Sequence, residues 1–349
     1  MAAFITFKPE DHYESVRFTG TGSDNNVTTG FQPDATWCKK LGSGDHYLTD
    51  AVRGVTKVLY PNDHSQEDTN ANAVKGFGAT YFTVGSEGAV NGNTDEILSW
   101  SWKAPTTTIP TGGTITPTGA RINTTTGVSI IGFTGTGSVG TIPHGLTSAP
   151  KWTVFKEMDG GNQPWFNTQL GLGGAALGSN WNYYNQWNNT MARSANSGIW
   201  NDTAPTDTLV TVGSADISSG QKYILYSFAE VKGFSKFGYY SGNSSTDGPF
   251  IYCGFRPSLV YVKEFDQSEG WIMWDKHMSD VATTYANPIE KMMYLNTNGS
   301  TNSDNKCDLL SNGFKIRSSH GHLNDGGFIY TAFSDQPIVG SDSTPGTAR

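Results

Sequence analysis

Three short segments of the chain alternate large apolar side chains with smaller or more polar ones. They read ILSWSW at 97–102, YILYSF at 223–228 and FIYTAF at 328–333. In the first segment Leu98, Trp100 and Trp102 share one face, while serines fill the other. A period of two residues is typical of a β-strand with one buried and one wetter face, so each segment predicts such a strand.

A second pattern places a proline and a lysine six residues apart, with five mostly apolar residues between them. It occurs as PDATWCK at 33–39, PKWTVFK at 150–156 and PSLVYVK at 257–263. Both faces of each segment are largely apolar, which predicts a central strand covered on both sides. We expect Lys39, Lys156 and Lys263 to end these strands and carry their charge to solvent.

Further matches follow the same order along the chain. The motif FTGTGS occurs at 18–23 and 133–138, with a weaker version, YYSGNS, at 239–244. The last aromatic residue of each closing strand lies 69, 78 and 76 residues after the common proline. Such long-period self-similarity indicates three diverged copies of one unit.

The prediction is an all-β chain of three tandem β-sandwich domains of jelly-roll or lectin-like type, arranged as beads on a string. Abundant Asn-Gly and Asp-Gly turns separate the strands, and short helices are expected only after Asp50 and near 287–294. Six segments follow from these boundaries: an N-terminal arm (1–16), domain 1 (17–103), a Thr/Pro/Gly-rich extended linker (104–126), domain 2 (127–233), domain 3 (234–338) and a polar tail (339–349).

Composition narrows the function classes. Charged residues make up 15 % of the 349 residues and aromatic residues 12 %, so the chain can bury cores and is not disordered. The net charge is −8 and no basic stripe is present, which argues against nucleic-acid binding. No apolar run approaches 18 residues, so we expect no membrane insertion. We also expect no secretory signal at the N-terminus.

Three cysteines, Cys38, Cys253 and Cys307, lie far apart and lack metal-binding spacing. We interpret them as small buried hydrophobic residues of a protein made in a reducing cytosol.

Candidate catalytic groups are sparse. The carboxylate pairs Glu157 with Asp159 and Asp266 with Glu269 resemble those of glycoside hydrolases, but ordinary loop chemistry accounts for them. The sequence lacks a GxSxG elbow, a P-loop and an HExxH motif. We therefore predict no catalytic residue and no cofactor.

Two segments have some of the ligands that a metal needs. His320 and His322 are two residues apart, with Asp325 nearby, but a third ligand is not apparent. The loop 60–72 has oxygen ligands suited to Ca²⁺ without an EF-hand spacing. The glycines of 170–178 lack the strand-to-helix context of a phosphate loop. No metal site is predicted.

The strongest binding candidate is NWNYYNQWNN at 180–189. Its aromatic rings can stack on sugars and its amides can bond sugar hydroxyls. A core strand or an inter-subunit contact explains the pattern equally well. The aromatic residues concerned are Trp181, Tyr183, Tyr184 and Trp187.

Some of these motifs resemble a known family. The first unit reads TGTGS…TGFQPDATWCKK…DAVRGVTKVLYPN…ANAVKGFGATYFTVGS…ILSWSWKA, and the third reads GPFIYCGFRPSLVYVKEFD…LLSNGFKIRSS…FIYTAFSDQP. Both resemble a domain repeated in virion structural proteins of tailed bacteriophages, notably marine ones. The second unit matches only at its ends. Such proteins are usually described as tail-fibre or other virion components, sometimes as lectin-like.

The resemblance implies a non-enzymatic virion protein, made in the host cytoplasm, that acts as a tail fibre or adhesin and contacts a host-surface glycan. It implies that the N-terminal arm binds other virion proteins, and that the chain forms a homo-oligomer such as a trimer. Alternatives are a head-decoration or other capsid-surface protein, a polysaccharide depolymerase, and a carbohydrate-binding module of a cellular protein.

Overall fold

The computed structural model describes residues 5–159, 164–168, 181–279, 287–303 and 305–336. Strands account for 41 % of the chain and helices for 5 %, and the strands that pair within these described ranges are all antiparallel. The prediction of an all-β protein is confirmed.

The first unit forms a four-stranded sheet in the order β1-β9-β3-β4 and a three-stranded sheet in the order β2-β8-β7. Its strands are β1 Tyr13–Thr19, β2 Asn25–Thr28, β3 Ala35–Lys40, β4 Tyr47–Asp50, β5 Lys57–Val58, β6 Asp68–Thr69, β7 Val74–Phe77, β8 Tyr81–Val84 and β9 Glu96–Trp102.

The second unit forms a seven-stranded sheet, β10-β11-β18-β13-β14-β15-β16, and pairs β12 with β17. Its strands are β10 Pro117–Asn123, β11 Val128–Thr134, β12 Gly140–Pro143, β13 Trp152–Glu157, β14 Phe166–Thr168, β15 Tyr183–Gln186, β16 Ser194–Ala195, β17 Leu209–Val212 and β18 Lys222–Phe228.

The third unit forms a five-stranded sheet, β19-β26-β21-β22-β23, and a three-stranded sheet, β20-β25-β24. Its strands are β19 Ser235–Ser241, β20 Phe250–Tyr252, β21 Leu259–Glu264, β22 Ile272–Asp275, β23 Met293–Tyr294, β24 Cys307–Leu310, β25 Gly313–Ile316 and β26 Gly327–Phe333. Three four-residue helices, Gly88–Asn91, Ser197–Trp200 and Gly321–Asn324, and one turn of 3-10 helix, Pro9–Asp11, complete the described secondary structure.

One strand order recurs in all three large sheets. The closing strand lies between the strand that carries the FTGTGS-type motif and the strand that follows the repeated proline: β1-β9-β3, β11-β18-β13 and β19-β26-β21. The register recurs too, because Trp102, Phe228 and Phe333 each face the residue two positions after that proline. The repeated sequence motifs therefore occupy equivalent positions.

Each large sheet is covered on both faces, as the apolar pattern predicts. On β3, Trp37 packs into the largest core cluster, whereas its neighbour Cys38 packs against Val27 and Phe82 of the small sheet. This alternation gives each unit a β-sandwich-like arrangement, with the small sheet on one face. The opposite faces of all three large sheets contribute to one shared cluster.

The closing aromatic residues of the three units meet inside this shared cluster. Trp102 lies 6.4 Å from Phe228 and 5.9 Å from Phe333, and Phe228 lies 5.7 Å from Phe333, measured between ring centroids. All three contacts are edge-to-face, the geometry that the aromatic quadrupole favours. The triangle relates equivalent residues, so the units surround a pseudo-threefold centre rather than forming separate beads.

A second set of equivalent residues links the three units to one another in a cycle. His46, Trp165 and Trp271 each precede the strand that pairs with the repeated central strand. Each ring nitrogen reaches a backbone carbonyl of another unit: Trp165 Nε1 to Tyr60 O (2.9 Å), Trp271 Nε1 to Gln186 O (3.0 Å) and His46 Nε2 to Tyr294 O (3.3 Å). The contacts run from the second unit to the first, from the third to the second, and from the first to the third.

The His46 contact has a defined proton position. Burial lowers the pKa of His46 well below its usual value, so the imidazole is neutral. Its Nδ1 accepts a 3.0 Å hydrogen bond from the Trp37 indole, which leaves the proton on Nε2 to donate to Tyr294 O. The imidazole thus donates to a carbonyl just as the two indoles do.

Two predicted segment assignments differ from the structure. Residues 13–16, assigned to the N-terminal arm, begin strand β1, because Tyr13 and Ser15 alternate inward and Tyr13 is fully buried beside Trp102 and Phe333. Residues 117–123, inside the expected linker, form strand β10 and pair with β11.

The short helix predicted after Asp50 is absent from the described residues, where 51–56 form turns. The Asp50 carboxylate accepts hydrogen bonds from the backbone N–H groups of Val52 and Arg53, and Gly54 adopts a φ of +113°. This Asx-type turn competes with the helix. Residues 57–58 pair as strand β5. Among the described residues, no helix is long and apolar enough to cross a membrane.

Candidate functional site

The three repeated lysines are fully buried, so the prediction that they reach solvent is wrong. Lys39, Lys156 and Lys263 have 0 % exposure. Burial is the main reason that the pKa of each falls to about 8. Because each side chain turns inward where its strand ends, the ammonium group bonds the backbone of the following turn instead of water.

These lysines have a structural role that the sequence does not reveal. The Nζ atom donates to carbonyl oxygens shortly downstream: Lys39 to Gly42 (2.8 Å), Lys156 to Glu157 (2.6 Å) and Lys263 to Gln267 (3.0 Å). Each lysine holds the turn after its central strand, a role that leaves no access for a ligand.

The aromatic segment 180–189 divides between core and surface. Trp187 is 3 % exposed and contacts Trp37, Trp152 and Trp165 edge-to-face, which excludes its ring from contact with a glycan. For Trp187 the core interpretation therefore holds. Asn180 lies outside the described residues.

The other aromatic residues of this segment are half-buried. Arg193 lies over the Tyr183 ring, 4.6 Å from its centroid, and Tyr184 packs against Phe166 at 5.5 Å. Trp181 is also intermediate in exposure. Trp181, Tyr183 and Tyr184 remain candidates for a contact with a ligand or partner.

A more exposed aromatic surface lies on the third unit. Phe250 and Tyr252 alternate on β20, an edge strand, and are 44 % and 64 % exposed. The intervening Ile251 is buried in the core. The two rings therefore share the outer face of the small sheet. Sequence reasoning missed this pair, although the alternation in FIYC was its signal.

Charged side chains adjoin this aromatic pair. In the register of the small sheet, Phe250 faces Lys315, which in turn faces Asp308, and Tyr252 faces Gly313. Arg317 pairs with Asp308 at 2.7 Å. Exposed rings next to hydrogen-bonding groups and a side-chain-free glycine make a shallow platform suited to a sugar face. We call Phe250, Tyr252, Gly313, Lys315 and Asp308 the β20 platform.

The carboxylate pairs do not share one environment. Glu157 belongs to strand β13 and is 3 % exposed, contrary to the expectation of a loop residue, and it accepts a 2.7 Å hydrogen bond from the Tyr223 hydroxyl. Asp159 lies in the following turn and pairs with Lys222 at 3.3 Å. Asp266 pairs with Arg193 at 2.8 Å.

The histidine pair lies beside the other carboxylate. The rings of His320 and His322 are 4.4 Å apart between centroids, and His322 Nδ1 contacts Glu269 Oε2. Asp325 lines the same cavity. Across the described parts of the chain, no group of three or more His, Cys, Asp or Glu side chains is arranged to hold a metal ion.

The acidic side chains of loop 60–72 make contacts within the protein. Asp68 accepts a 3.0 Å hydrogen bond from the Tyr60 hydroxyl, and Glu67 lies 3.4 Å from Arg53. The loop thus supports the fold. The glycine-rich segment 170–178 lies outside the described residues. All three cysteines are free and buried, and burial raises the pKa of each thiol.

A family model matches most of the chain. The model of a family described as "Domain of unknown function (DUF7483)" matches residues 8–337, which include all three units. No curated protein and no solved structure matches the chain.

Proposed function

The chain belongs to the DUF7483 family, and we propose that it is a non-enzymatic structural protein of a tailed-bacteriophage virion. In this proposal it acts as a tail fibre or adhesin that contacts a glycan on the host surface. The virion assignment rests on the resemblance of the first and third units to a repeated domain of phage structural proteins.

The β20 platform is the observation that carries the glycan contact. Among the described residues, few large apolar side chains are exposed, and Phe250 and Tyr252 are two of the three aromatic ones. Singly exposed apolar residues are ordinary, but two rings on one face of an edge strand offer a stacking surface. Lys315 faces Phe250 in the sheet register and pairs with the exposed Asp247 at 2.9 Å, so charged groups that can bond hydroxyls border the rings.

The proposal also includes the finer architecture. Three tandem β-sandwich domains of jelly-roll or lectin-like type would each contribute one face to the shared core. Because that core is closed within one chain, a homo-trimer or other oligomer would have to form through outer surfaces. The segment before β1 would then be the contact to other virion proteins.

The experiment uses purified phage particles and the isolated full-length chain. Detection of the chain in particles by mass spectrometry and immunogold labelling at the tail would support the virion assignment. Binding of the chain to isolated host polysaccharide, lost on Tyr252→Ala, would support the adhesin assignment. Absence from particles would contradict the first, and binding that Tyr252→Ala leaves intact would contradict the second. Release of reducing ends from that polysaccharide would contradict the non-enzymatic part.

The aromatic triangle favours a second candidate, a head-decoration protein. A chain with an internal pseudo-threefold arrangement matches a local threefold position on a capsid surface without needing three copies. Labelling on the head, at a copy number proportional to the capsid lattice, would favour this candidate over the fibre.

A further inference from the structure

Glu264 is a largely buried residue whose carboxylate has no partner among the described residues. It ends strand β21 and is 4 % exposed. Among the residues that the structure describes, none donates a hydrogen bond to its carboxylate or forms an ion pair with it. The residue as a whole is buried, and its carboxylate oxygens face a cavity that is open to solvent.

The second unit shows how the same position is satisfied. Glu157 is the equivalent residue, and it faces Tyr223 in the register of the sheet as Glu264 faces Phe328. The Tyr223 hydroxyl donates to Glu157 Oε2 at 2.7 Å. Phe328 has no hydroxyl, so the third unit lacks this donor.

The aromatic stack around this position is otherwise kept. Tyr223 stacks on Phe133 at 5.2 Å in the second unit, and Phe328 stacks on Tyr240 at 4.9 Å in the third. The hydroxyl has moved to the other ring of the pair, where Tyr240 donates to Leu323 O at 2.9 Å. The change removes the donor of Glu264 and leaves the packing intact.

Glu264 lines an open cavity of about 640 Å³, a size within the range of ligand sites. Gly326 borders the carboxylate closely, because a Cβ atom there would lie 2.6 Å from Glu264 Oε1. Asp266, Glu269, Asp325, His320 and His322 also line the cavity.

The charges around Glu264 favour a cation. Arg193 pairs with Asp266, and His322 pairs with Glu269, so these carboxylates already have partners. The Lys263 ammonium is directed at the backbone carbonyls of Glu264 and Gln267. Glu264 and Asp325 have no ion pair among the described residues, and the charge of Lys263 offsets that of Glu264 only in part.

We propose that this cavity is a binding site for an organic cation with N–H donors, an ammonium or guanidinium group, which takes the place of the missing tyrosine hydroxyl on Glu264. A small amine or the side chain of a basic residue can supply this group. The site is independent of the glycan contact, because it uses none of the residues of the β20 platform.

The titration of Glu264 is consistent with the site. Burial, Glu269, Asp325 and Asp266 raise its pKa to about 7, against the opposing effect of Lys263. Near pH 7 the free carboxylate is therefore about half protonated, and a bound cation would release about half a proton. Binding should strengthen as the pH rises from 6 to 8.

The test is calorimetric titration of the full-length chain with agmatine and with N-acetyl-arginine amide, in two buffers of different ionisation enthalpy. We expect binding with proton release at pH 7, and a loss of about tenfold or more in affinity for Glu264→Gln. Phe328→Tyr restores the hydroxyl of the second unit and should weaken binding similarly, whereas Glu157→Gln should leave it within about twofold.

The relative affinities of the two cations identify the source of the bound group. Tighter binding of agmatine would assign a small amine, and tighter binding of the amide would assign a protein side chain. Failure of both cations to bind would overturn it, as would equal binding by the Phe328→Tyr variant or equal binding of tetramethylammonium, which lacks N–H groups. Binding of Ca²⁺ or Mg²⁺ in place of the organic cations would overturn it too.

Discussion

The Tyr226 hydroxyl in the second unit donates a 2.6 Å hydrogen bond to Oδ2 of Asp50 in the first unit. The same oxygen accepts a 2.6 Å hydrogen bond from Arg53 Nε, and all three side chains are buried. Burial raises the pKa of Tyr226 well above its usual value, which keeps the hydroxyl protonated as a donor. The contact joins two units inside the core.

An equivalent contact joins the first unit to the third. Trp100 occupies the same position of the closing strand as Tyr226, and Asp275 ends β22 as Asp50 ends β4. Trp100 Nε1 donates to Asp275 Oδ2 at 2.8 Å. The first and third units therefore share this boundary aspartate, which accepts from a different donor at each of the two contacts.

Removal of the Tyr226 hydroxyl should weaken the fold measurably. Tyr226→Phe deletes a hydrogen bond to a buried carboxylate, so we expect the free energy of unfolding to fall by about 2 kcal/mol. Urea denaturation measures the change. The matched control is Tyr239→Phe on the surface, expected within about 0.5 kcal/mol of the parent. Equal stability of the two variants would contradict the role given to this contact.

The aromatic triangle should be among the most sensitive parts of the core. Phe333→Ala removes a fully buried ring that contacts Trp102 and Phe228 of the other units, and we expect a loss of about 3–5 kcal/mol. Phe250→Ala removes the same chemical group from the surface and should change stability by less than about 0.5 kcal/mol. A small effect of Phe333→Ala in urea denaturation would mean that the triangle does not form.

The buried lysines predict a particular dependence of stability on pH. The pKa of Lys156 is about 8 in the folded chain and 10.5 ordinarily. Between these values the unfolded chain binds more protons, so this lysine makes the folded state more stable as the pH rises. Below pH 8 the cost of burying its charge is fully present.

The matched variant is Lys156→Met, which keeps the length and removes the charge. The stability of the parent relative to this variant should rise by at most about 3 kcal/mol between pH 8 and pH 10.5. Urea denaturation at several pH values gives the difference directly, and the tyrosines common to both proteins cancel. If the difference in stability stays constant or falls as the pH rises, Lys156 is not a buried group with a lowered pKa.

The two aromatic surfaces make separable predictions about glycan binding. Tyr252→Ala should lower the affinity for host polysaccharide about tenfold, because one stacking ring is lost, with an unchanged melting temperature. Trp181→Ala should leave the affinity unchanged. Biolayer interferometry on immobilised polysaccharide compares the variants. If Trp181→Ala lowers the affinity and Tyr252→Ala does not, the glycan contact lies on the segment 180–189 instead.

Local pattern predicted much of the fold. Alternation identified the closing strands, and the repeated proline and lysine identified the central strands that lie beside them. The equivalence of Trp102, Phe228 and Phe333 was also visible, because each ends its closing strand. No sequence pattern indicates that these rings contact one another, because an aromatic residue packs equally well within its own unit or against another unit.

The buried lysines and the candidate cation site could not be predicted from the sequence. A lysine after an apolar strand usually reaches solvent, and only the turn geometry that presents the Gly42, Glu157 and Gln267 carbonyls reverses this expectation. The sequence pattern does not single out Glu264, because its position opposite Phe328 is set by strand pairing. The exchange of Tyr223 for Phe328 gains meaning only from the strand register.

Differential scanning calorimetry of the intact chain tests most directly whether the three units form one closed body. With a shared core and cyclic contacts, we predict a single transition whose calorimetric enthalpy, about 240 kcal/mol for a chain of this length, equals the van't Hoff enthalpy. Independent domains would instead give resolved transitions, or one broad transition whose van't Hoff enthalpy is about a third of the calorimetric value. That result would contradict the account.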